Sequence, residues 1–181
     1  MNKNITTKPF PEPSTRICLM LPDGLKEHPA AAALEAWDST ALTGGSVDLG
    51  ETLLWVEKDR IVDVCRKLKE EFSFVRLSGV SVIDRYPSEP RFEVLYLLHS
   101  IERNERLKLK VALGGEQPEV ESVCGVWRGA DWYEREAFDL FGVRFLNHPD
   151  LRRIMMPDDW QGHPLRRDFP THGHKYTYQS E

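Results

Sequence analysis

The sequence predicts an α+β fold, in which helices cover one face of a mainly antiparallel sheet and an extended C-terminal docking arm follows. Residues 74–84, 91–101 and 106–113 alternate apolar and polar side chains, as half-buried strands do. The loops between them are short, which favours antiparallel neighbours. Residues 59–72 instead carry apolar side chains at helical spacing. This helix should cover the apolar face of the sheet, because each large side chain buried contributes roughly 1.5–3 kcal/mol.

The segments before the sheet are divided by proline and glycine. Pro29 suits the first turn of a short helix that runs to Trp37. Gly44 and Gly45 predict a turn. Residues 52–56, with the sequence TLLWV, predict a buried strand.

Two further helical segments flank the predicted strands. The helix at 59–72 places Cys65 on its apolar stripe, where we interpret it as a small core hydrophobe. A second helical stretch is predicted near residues 120–127. The stripe of the first helix is formed by Ile61, Cys65, Leu68 and Phe72.

The last predicted helix spans residues 131–142. Asp131 and Glu134 have the spacing of a capping box at its start. Gly142 stands where a left-handed residue ends a helix. The predicted apolar stripe consists of Tyr133, Ala137, Leu140 and Phe141.

After Gly142 the chain has prolines at short intervals and no lasting helix or strand period. Such a segment buries little against itself, so we expect it to lie on another surface. We therefore divide the chain into a disordered lead-in at 1–22, an α+β domain at 23–142 and an extended arm at 143–181.

Two arginine pairs stand out in this arm. Each pair is flanked by apolar residues, a composition typical of protein interfaces. The planar guanidinium also suits bidentate pairing with carboxylates. We therefore expect a partner protein to meet Arg152, Arg153, Arg166 and Arg167.

The carboxylates of the 131–142 helix could suggest acid–base catalysis. Glu134 and Glu136 lie two residues apart, so their side chains point roughly 200° from each other and do not converge on one bond. Glu136 and Asp139 share a helix face. Arg135 could pair with them, and a charge network is the interpretation we prefer.

The remaining composition excludes several classes of protein. The net charge is -5 over 181 residues, which argues against a general nucleic-acid binder. Cys18, Cys65 and Cys124 are separated, so an iron–sulfur cluster held by this chain is not expected, and the sparse count suits a reducing cytosol. There is no apolar run of roughly 20 residues, no secretory signal pattern and no Gly-rich phosphate loop.

The histidines do not have the spacing of a metal site. His172 and His174 could share one face of an extended segment, but a tetrahedral structural site needs four ligands. His148 and His163 each precede a proline, which favours an extended backbone and directs the chain. We expect no metal site.

The helix and the arm resemble a known family. The spacing is that of the signature of the C subunit of respiratory complex I, the NADH-quinone oxidoreductase. The fragment GHPLRRDFP at 162–170 resembles its second block, and the order of elements is similar from about Leu53 to Pro170. The signature positions are Glu134, Arg135, Glu136, Asp139, Gly142, Phe145, His148, Arg152, Arg153 and Ile154, and His163, Arg166, Arg167 and Asp168 stand in the second block.

The resemblance implies a structural subunit of the hydrophilic arm of that enzyme, with the residues just named as family signature and partner docking residues. The complex passes electrons from NADH through FMN and iron–sulfur clusters to a quinone and pumps protons. The cofactors would lie in partner subunits, with none in this chain. The expected partners are the quinone-site subunit and the iron–sulfur subunits, without nucleic acid or a direct membrane span. The expected location is peripheral, on the cytoplasmic side of the cell inner membrane.

Two alternatives remain open at this point. Similar subunits occur in membrane-bound hydrogenases and formate hydrogenlyases, and the electron donor and quinone type do not follow from this chain. A free-standing enzyme that uses the carboxylates and histidines is the other hypothesis. The missing cofactor motifs favour an assembly subunit over an enzyme.

Overall fold

The structure, a computed structural model, describes Leu25 and residues 28–48 and 50–170. The lead-in predicted at 1–22 lies outside the described residues. The helices are α1 (Pro29–Trp37), α2 (Ile61–Glu71), which follows a 3-10 turn (Lys58–Arg60), and α3 (Ala130–Phe141). The strands are β1 (Leu42–Asp48), β2 (Glu51–Val56), β3 (Arg76–Asp84), β4 (Phe92–Ser100), β5 (Glu105–Leu113), β6 (Glu119–Glu121) and β7 (Arg144–Leu146).

The main sheet has five strands in the order β1-β2-β5-β4-β3. Its neighbours are antiparallel except for β2 and β5, which run parallel. The predicted α+β class with a mainly antiparallel sheet is confirmed. None of the helices among the described residues is long and apolar enough to cross a membrane.

The core lies between one face of this sheet and the helices. On β4, alternate residues from Phe92 to Ser100 are buried, while the residues between them are partly exposed. Cys65 of α2 is fully buried, as the prediction of a core cysteine required. The apolar core residues of these two elements are Ile61, Val64, Cys65, Leu68, Phe92, Val94, Tyr96 and Leu98.

The turn predicted at Gly44 and Gly45 is wrong, because both residues lie within β1. A Cβ on Gly45 would lie 2.5 Å from Leu25 Cδ1 and 2.7 Å from the carbonyl oxygen of Leu53. Glycine at residue 45 is therefore needed for close packing of the strand. The turn itself lies in the connection to β2, where Gly50 has φ +79°.

The helix predicted at 120–127 is also wrong. Its apolar residues have near-helical spacing, but Glu119–Glu121 forms β6, which pairs in parallel with β7. This pairing joins segments on either side of α3, so no local pattern could reveal it. Val143 and Phe145 are buried, so the core extends past residue 142, where the arm was expected to begin.

The C-terminal end of α3 is as predicted, but its N-terminal end is not. The helix begins at Ala130 with Gly129 as its N-cap, and no side chain caps it. The predicted capping box therefore does not form, because Asp131 lies inside the first turn. The end is as predicted: Gly142 has φ 76° and ψ 25°, and its N–H donates to the Phe138 carbonyl.

Gly142→Val should destabilise the protein by more than the roughly 1–3 kcal/mol of an unfavourable backbone region. A β-branched residue is strained at this φ, and a Cβ would also lie 2.5 Å from two ring atoms of His163. Urea unfolding measures the effect. Gly125→Ala is the matched control, because a Cβ there meets nothing within 4 Å. Equal midpoints for the two variants would contradict the prediction.

Candidate functional site

Asp139, Arg153, His163 and Arg166 meet at the C-terminal half of α3, where residues 147–170 fold back over the helix. Asp139 lies at the centre of this contact and its side chain is fully buried. Its Oδ2 accepts hydrogen bonds from the backbone N–H groups of Ile154, Met155 and Met156 at 3.0, 2.7 and 2.8 Å. Its Oδ1 accepts one from Arg153 Nη1 at 2.5 Å. One carboxylate thus holds four donors from the returning chain.

These donors keep Asp139 ionised despite its burial. Burial alone would raise the pKa of Asp139, but the N–H groups of Met156, Ile154 and Met155 and the Arg153 guanidinium outweigh it, and the pKa is lowered. Asp139 was predicted to belong to an exposed or interface charge network with Glu136. Glu136 is exposed, whereas Asp139 binds its own chain.

The open end of α3 is closed by the same returning segment. The last carbonyls of a helix have no partner within the helix. Here His163 Nδ1 lies 2.9 Å from the Asp139 carbonyl oxygen, Arg166 Nε donates to the Phe141 carbonyl at 2.6 Å, and the N–H of Leu165 donates to Leu140. Because a carbonyl only accepts, Nδ1 of His163 carries the proton. Burial and the neighbouring guanidinium groups lower the pKa of His163, in agreement with a neutral ring.

Gly142 makes this closure possible. The His163 ring and the Arg166 guanidinium occupy the space that a side chain at residue 142 would fill. The cationic Arg166 also lies at the negative end of the helix dipole. The signature glycine therefore ends the helix and also leaves room for the arm.

A second anchor ties the end of the arm to the sheet. Arg91 donates to both carboxylate oxygens of Asp84 at 3.0 and 2.9 Å and to both of Asp168 at 3.0 and 2.6 Å. The N–H of Arg167 donates to Asp84 Oδ2 at 2.8 Å. Burial would raise the pKa of Asp84, but Arg91, with the N–H groups of Arg167 and Tyr86, lowers it to about 2.

Asp84 and Arg91 were not identified from the sequence. Asp84 ends one predicted strand and Arg91 begins the next, so opposite charges on the two sides of a hairpin loop were a usable signal. Their contact with Asp168, 77 residues from Arg91, had no signal of this kind.

The first half of α3 presents a different polar cluster. Glu134 is fully buried and accepts hydrogen bonds from Ser122 Oγ at 2.6 Å and from the Val123 N–H at 2.8 Å. Cys124 Sγ lies 3.4 Å from the same carboxylate. Burial is the largest cause that raises the pKa of Glu134, to about 7, against the lowering effect of these donors. Ser122 and Cys124 were also missed by the sequence-based assignment.

Cys124, Glu134 and His148 could be considered as metal ligands, because one ligand atom of each lies within 4.8 Å of the others. However, the N–H of Asp150 donates to His148 Nδ1 at 3.1 Å, so Nδ1 is the acceptor and Nε2 carries the proton. Nε2 then faces the Asp131 carbonyl oxygen at 3.3 Å. A metal at Nε2 would require Nδ1 to lose this hydrogen bond, so the arrangement is that of a hydrogen-bonded cluster.

The remaining signature residues divide into buried and exposed groups. Arg135 is 7% exposed, and it donates to the carbonyl oxygens of Arg152 and Arg153 at 3.3 and 3.4 Å. Arg153 and Arg166, which were expected to meet a partner, are both bound within their own chain. The exposed residues of the arm and helix include Trp132, Glu136, Arg152, Met155, Leu165, Arg167 and Asp168.

Asp139→Asn should destabilise the protein by about 2 kcal/mol or more, because hydrogen bonds to charged groups contribute about 1.5–3 kcal/mol and Arg153 would lose its partner. Urea unfolding and the rate of proteolysis within residues 152–168 measure the effect. Glu136→Gln removes an exposed carboxylate from the same helix and is the control. The same unfolding midpoint in both variants would show that Asp139 does not hold the arm.

Glu134→Gln should reduce the change in the free energy of unfolding between about pH 4.5 and pH 7. The folded-state pKa is raised from 4.5 to about 7, so the folded protein binds a proton more tightly than the unfolded chain. This contribution is fully present below about pH 4.5 and is lost as the pH rises through 7. Chemical unfolding at several pH values tests this. If the variant keeps the pH dependence of the unmodified chain, another titratable group causes that dependence.

The chain was compared with known proteins. A profile of the family described as "Respiratory-chain NADH dehydrogenase, 30 Kd subunit" matches residues 54–175. The NADH-quinone oxidoreductase C subunit of Geotalea uraniireducens (strain Rf4) is 48% identical over 124 residues, which cover 68% of this chain and 76% of the relative.

Two solved structures share the fold. A trypsin-resistant fragment (1–134) of Nqo5 has a TM-score of 0.56 and 27% identity, covering 66% of this chain and 97% of the fragment. A chain of a membrane-bound sulfane sulfur reductase, described as an archaeal respiratory membrane complex, has a TM-score of 0.68 at 24% identity, covering 77% and 83%. The family match spans most of the chain, including α3 and the returning segment. This chain therefore belongs to the 30 kDa subunit family of the respiratory-chain NADH dehydrogenase.

Proposed function

We propose that this chain is a structural subunit, without a cofactor of its own, in the hydrophilic arm of an NADH-quinone oxidoreductase. The observation that carries the proposal is the returning segment. It is fixed to α3 by Asp139 and Arg166 and still presents apolar side chains outward, with Met155 61% and Leu165 52% exposed. Apolar residues held on an ordered surface are typical of interfaces.

The chemistry of the site supports an assembly role over catalysis. Asp139 and Glu134 are both occupied by structural hydrogen bonds, and His163 is bound to a carbonyl oxygen. Each of these acids and bases is thus already bound by its own chain. In the proposed complex, FMN and iron–sulfur clusters lie in partner subunits, and this chain contributes a shaped surface.

We further propose that the partners are the quinone-site subunit and the iron–sulfur subunits. The chain would be attached to the membrane peripherally, through the complex, on the cytoplasmic side of the cell inner membrane. A homologous role in a membrane-bound hydrogenase or formate hydrogenlyase is the second candidate. The likeness to the sulfane sulfur reductase, at 24% identity, supports a shared fold alone. The relatives that are named as NADH-quinone oxidoreductase subunits favour the first candidate.

The arginines that would meet the partner are the outward-facing ones, Arg152 and Arg167. Arg152 is 70% exposed and pairs only with the neighbouring Asp150, at 2.8 Å, among the described residues. The Arg167 side chain is exposed and reaches the Tyr86 carbonyl at 3.4 Å. Charge reversal at Arg166 would instead disturb the end of α3, so Arg166 is unsuitable for testing the interface.

Arg152→Glu combined with Arg167→Glu should reduce recovery of the intact complex at least tenfold, with a parallel loss of NADH-quinone activity. Unfavourable charge contacts in an interface cost several kcal/mol, and about 1.4 kcal/mol is already tenfold in binding. The measurement is affinity purification of the tagged chain from native membranes, with the subunits identified by mass spectrometry.

Arg66→Glu combined with Arg106→Glu is the matched control, because these side chains are 55% and 73% exposed and lie on α2 and β5, away from the arm. Both variants should retain the thermal stability of the unmodified chain. Normal assembly with Arg152→Glu and Arg167→Glu would show that these arginines are solvated surface. A tagged wild-type chain that purifies without NADH-quinone subunits would overturn the proposed function.

A further inference from the structure

The domain has an open groove of about 700 Å³, and no residue of the arm lines it. It is bounded by the end of α2, the residues that lead into β3, the turn after β4 and residues 124–129. Val75 and Ile101, which line it, are 53% and 62% exposed. They are among the most exposed large apolar residues of the described chain, and they lie in one concavity.

An aromatic residue that lines the groove carries a buried donor without a partner among the described residues. Trp127 lines it and is only 5% exposed. Its indole Nε1–H has no hydrogen-bond partner within the described part of the chain. A buried donor left unpaired costs about 1–3 kcal/mol, which an acceptor supplied by an occupant would recover.

The groove is also positively charged. Its lining residues include Lys69, Arg76 and Arg128 and no aspartate or glutamate. Lys69 Nζ donates to the Val126 carbonyl at 2.5 Å, which holds the ammonium group at the edge of the groove. Arg76 and Arg128 are exposed and form no salt bridge with any described residue. The groove is thus locally basic, although the net charge of the chain is -5.

We propose that this groove is a second docking site, which binds an acidic segment of another subunit of the same complex. Aliphatic side chains of that segment would cover Val75 and Ile101, and its carboxylates would face Arg76 and Arg128. A carbonyl or carboxylate oxygen would accept the hydrogen bond from Trp127. Charge complementarity of this kind selects the partner and its orientation. This inference rests on the proposed function, because the occupant comes from the assembled complex.

The experiment places a photoreactive benzoylphenylalanine at Ile101 of the full-length tagged chain. The complex is purified from native membranes, irradiated, and the crosslinked peptide is sequenced by mass spectrometry. The expected product is a crosslink to a segment of another subunit that carries net negative charge and aliphatic residues. The control position is Val47 of β1, which is 53% exposed and does not line the groove.

Two variants test the chemistry of the contact. Arg76→Glu with Arg128→Glu should lower the crosslink yield at Ile101 at least fivefold. Trp127→Phe keeps an aromatic ring and removes the N–H donor, and should lower the yield severalfold. Trp132→Phe is its matched control, because Trp132 is 60% exposed and does not line the groove. Equal yields in all variants would overturn the proposal even if a crosslink forms.

The outcomes separate this inference from the proposed function. A tagged chain that carries no partner subunits overturns both. A chain that purifies in an active complex but forms no crosslink at Ile101, or crosslinks to a basic segment, to lipid or to its own residues, overturns only the groove. A crosslink to an acidic segment that depends on Arg76, Arg128 and Trp127 supports it.

Discussion

The buried carboxylate of Asp139 is the interaction on which the C-terminal part of this protein depends. A chain without regular hydrogen bonding must satisfy its backbone donors elsewhere. Asp139 does this for three consecutive N–H groups and adds the Arg153 guanidinium. The site is placed at the end of a helix by Gly142, which leaves room for His163 and Arg166 to bind the last carbonyls. An irregular segment thereby acquires a fixed shape.

The two arginines of each pair have different roles in the structure. Arg153 and Arg166 turn inward and bind α3, while Arg152 and Arg167 turn outward. One arginine of each pair thus stabilises the arm, and the other remains available to a partner. The sequence singled out the two pairs, but it could not assign the two roles, because both arginines of a pair have the same local neighbours.

The fold was predictable where the signal was local. The alternation of β4 and β5 and the apolar stripe of α2 follow from short-range periodicity, and Gly142 from the requirement for a left-handed residue. The missed features are those that depend on distant partners. β6 exists because it pairs with β7 across α3, and Glu134 serves Ser122 and Val123 instead of the helix terminus. Arg91 acquires its role from Asp168 on the returning segment.

Glu134 and Asp139 hold two different segments of the chain against α3. Five residues apart on a helix, their side chains point roughly 140° from each other. Each therefore binds a different segment: Glu134 holds the 122–124 loop, and Asp139 holds the chain at 154–156. One side of the helix therefore binds the loop that leads into the groove residues. The other side binds the exposed arm. Burial outweighs the hydrogen-bond donors at Glu134 and raises its pKa to about 7, whereas the backbone N–H groups and the Arg153 guanidinium outweigh burial at Asp139 and lower its pKa. The two contacts therefore respond differently to pH. Protonation weakens the hold of Asp139 on the arm only in acid, whereas Glu134 changes its charge near neutrality.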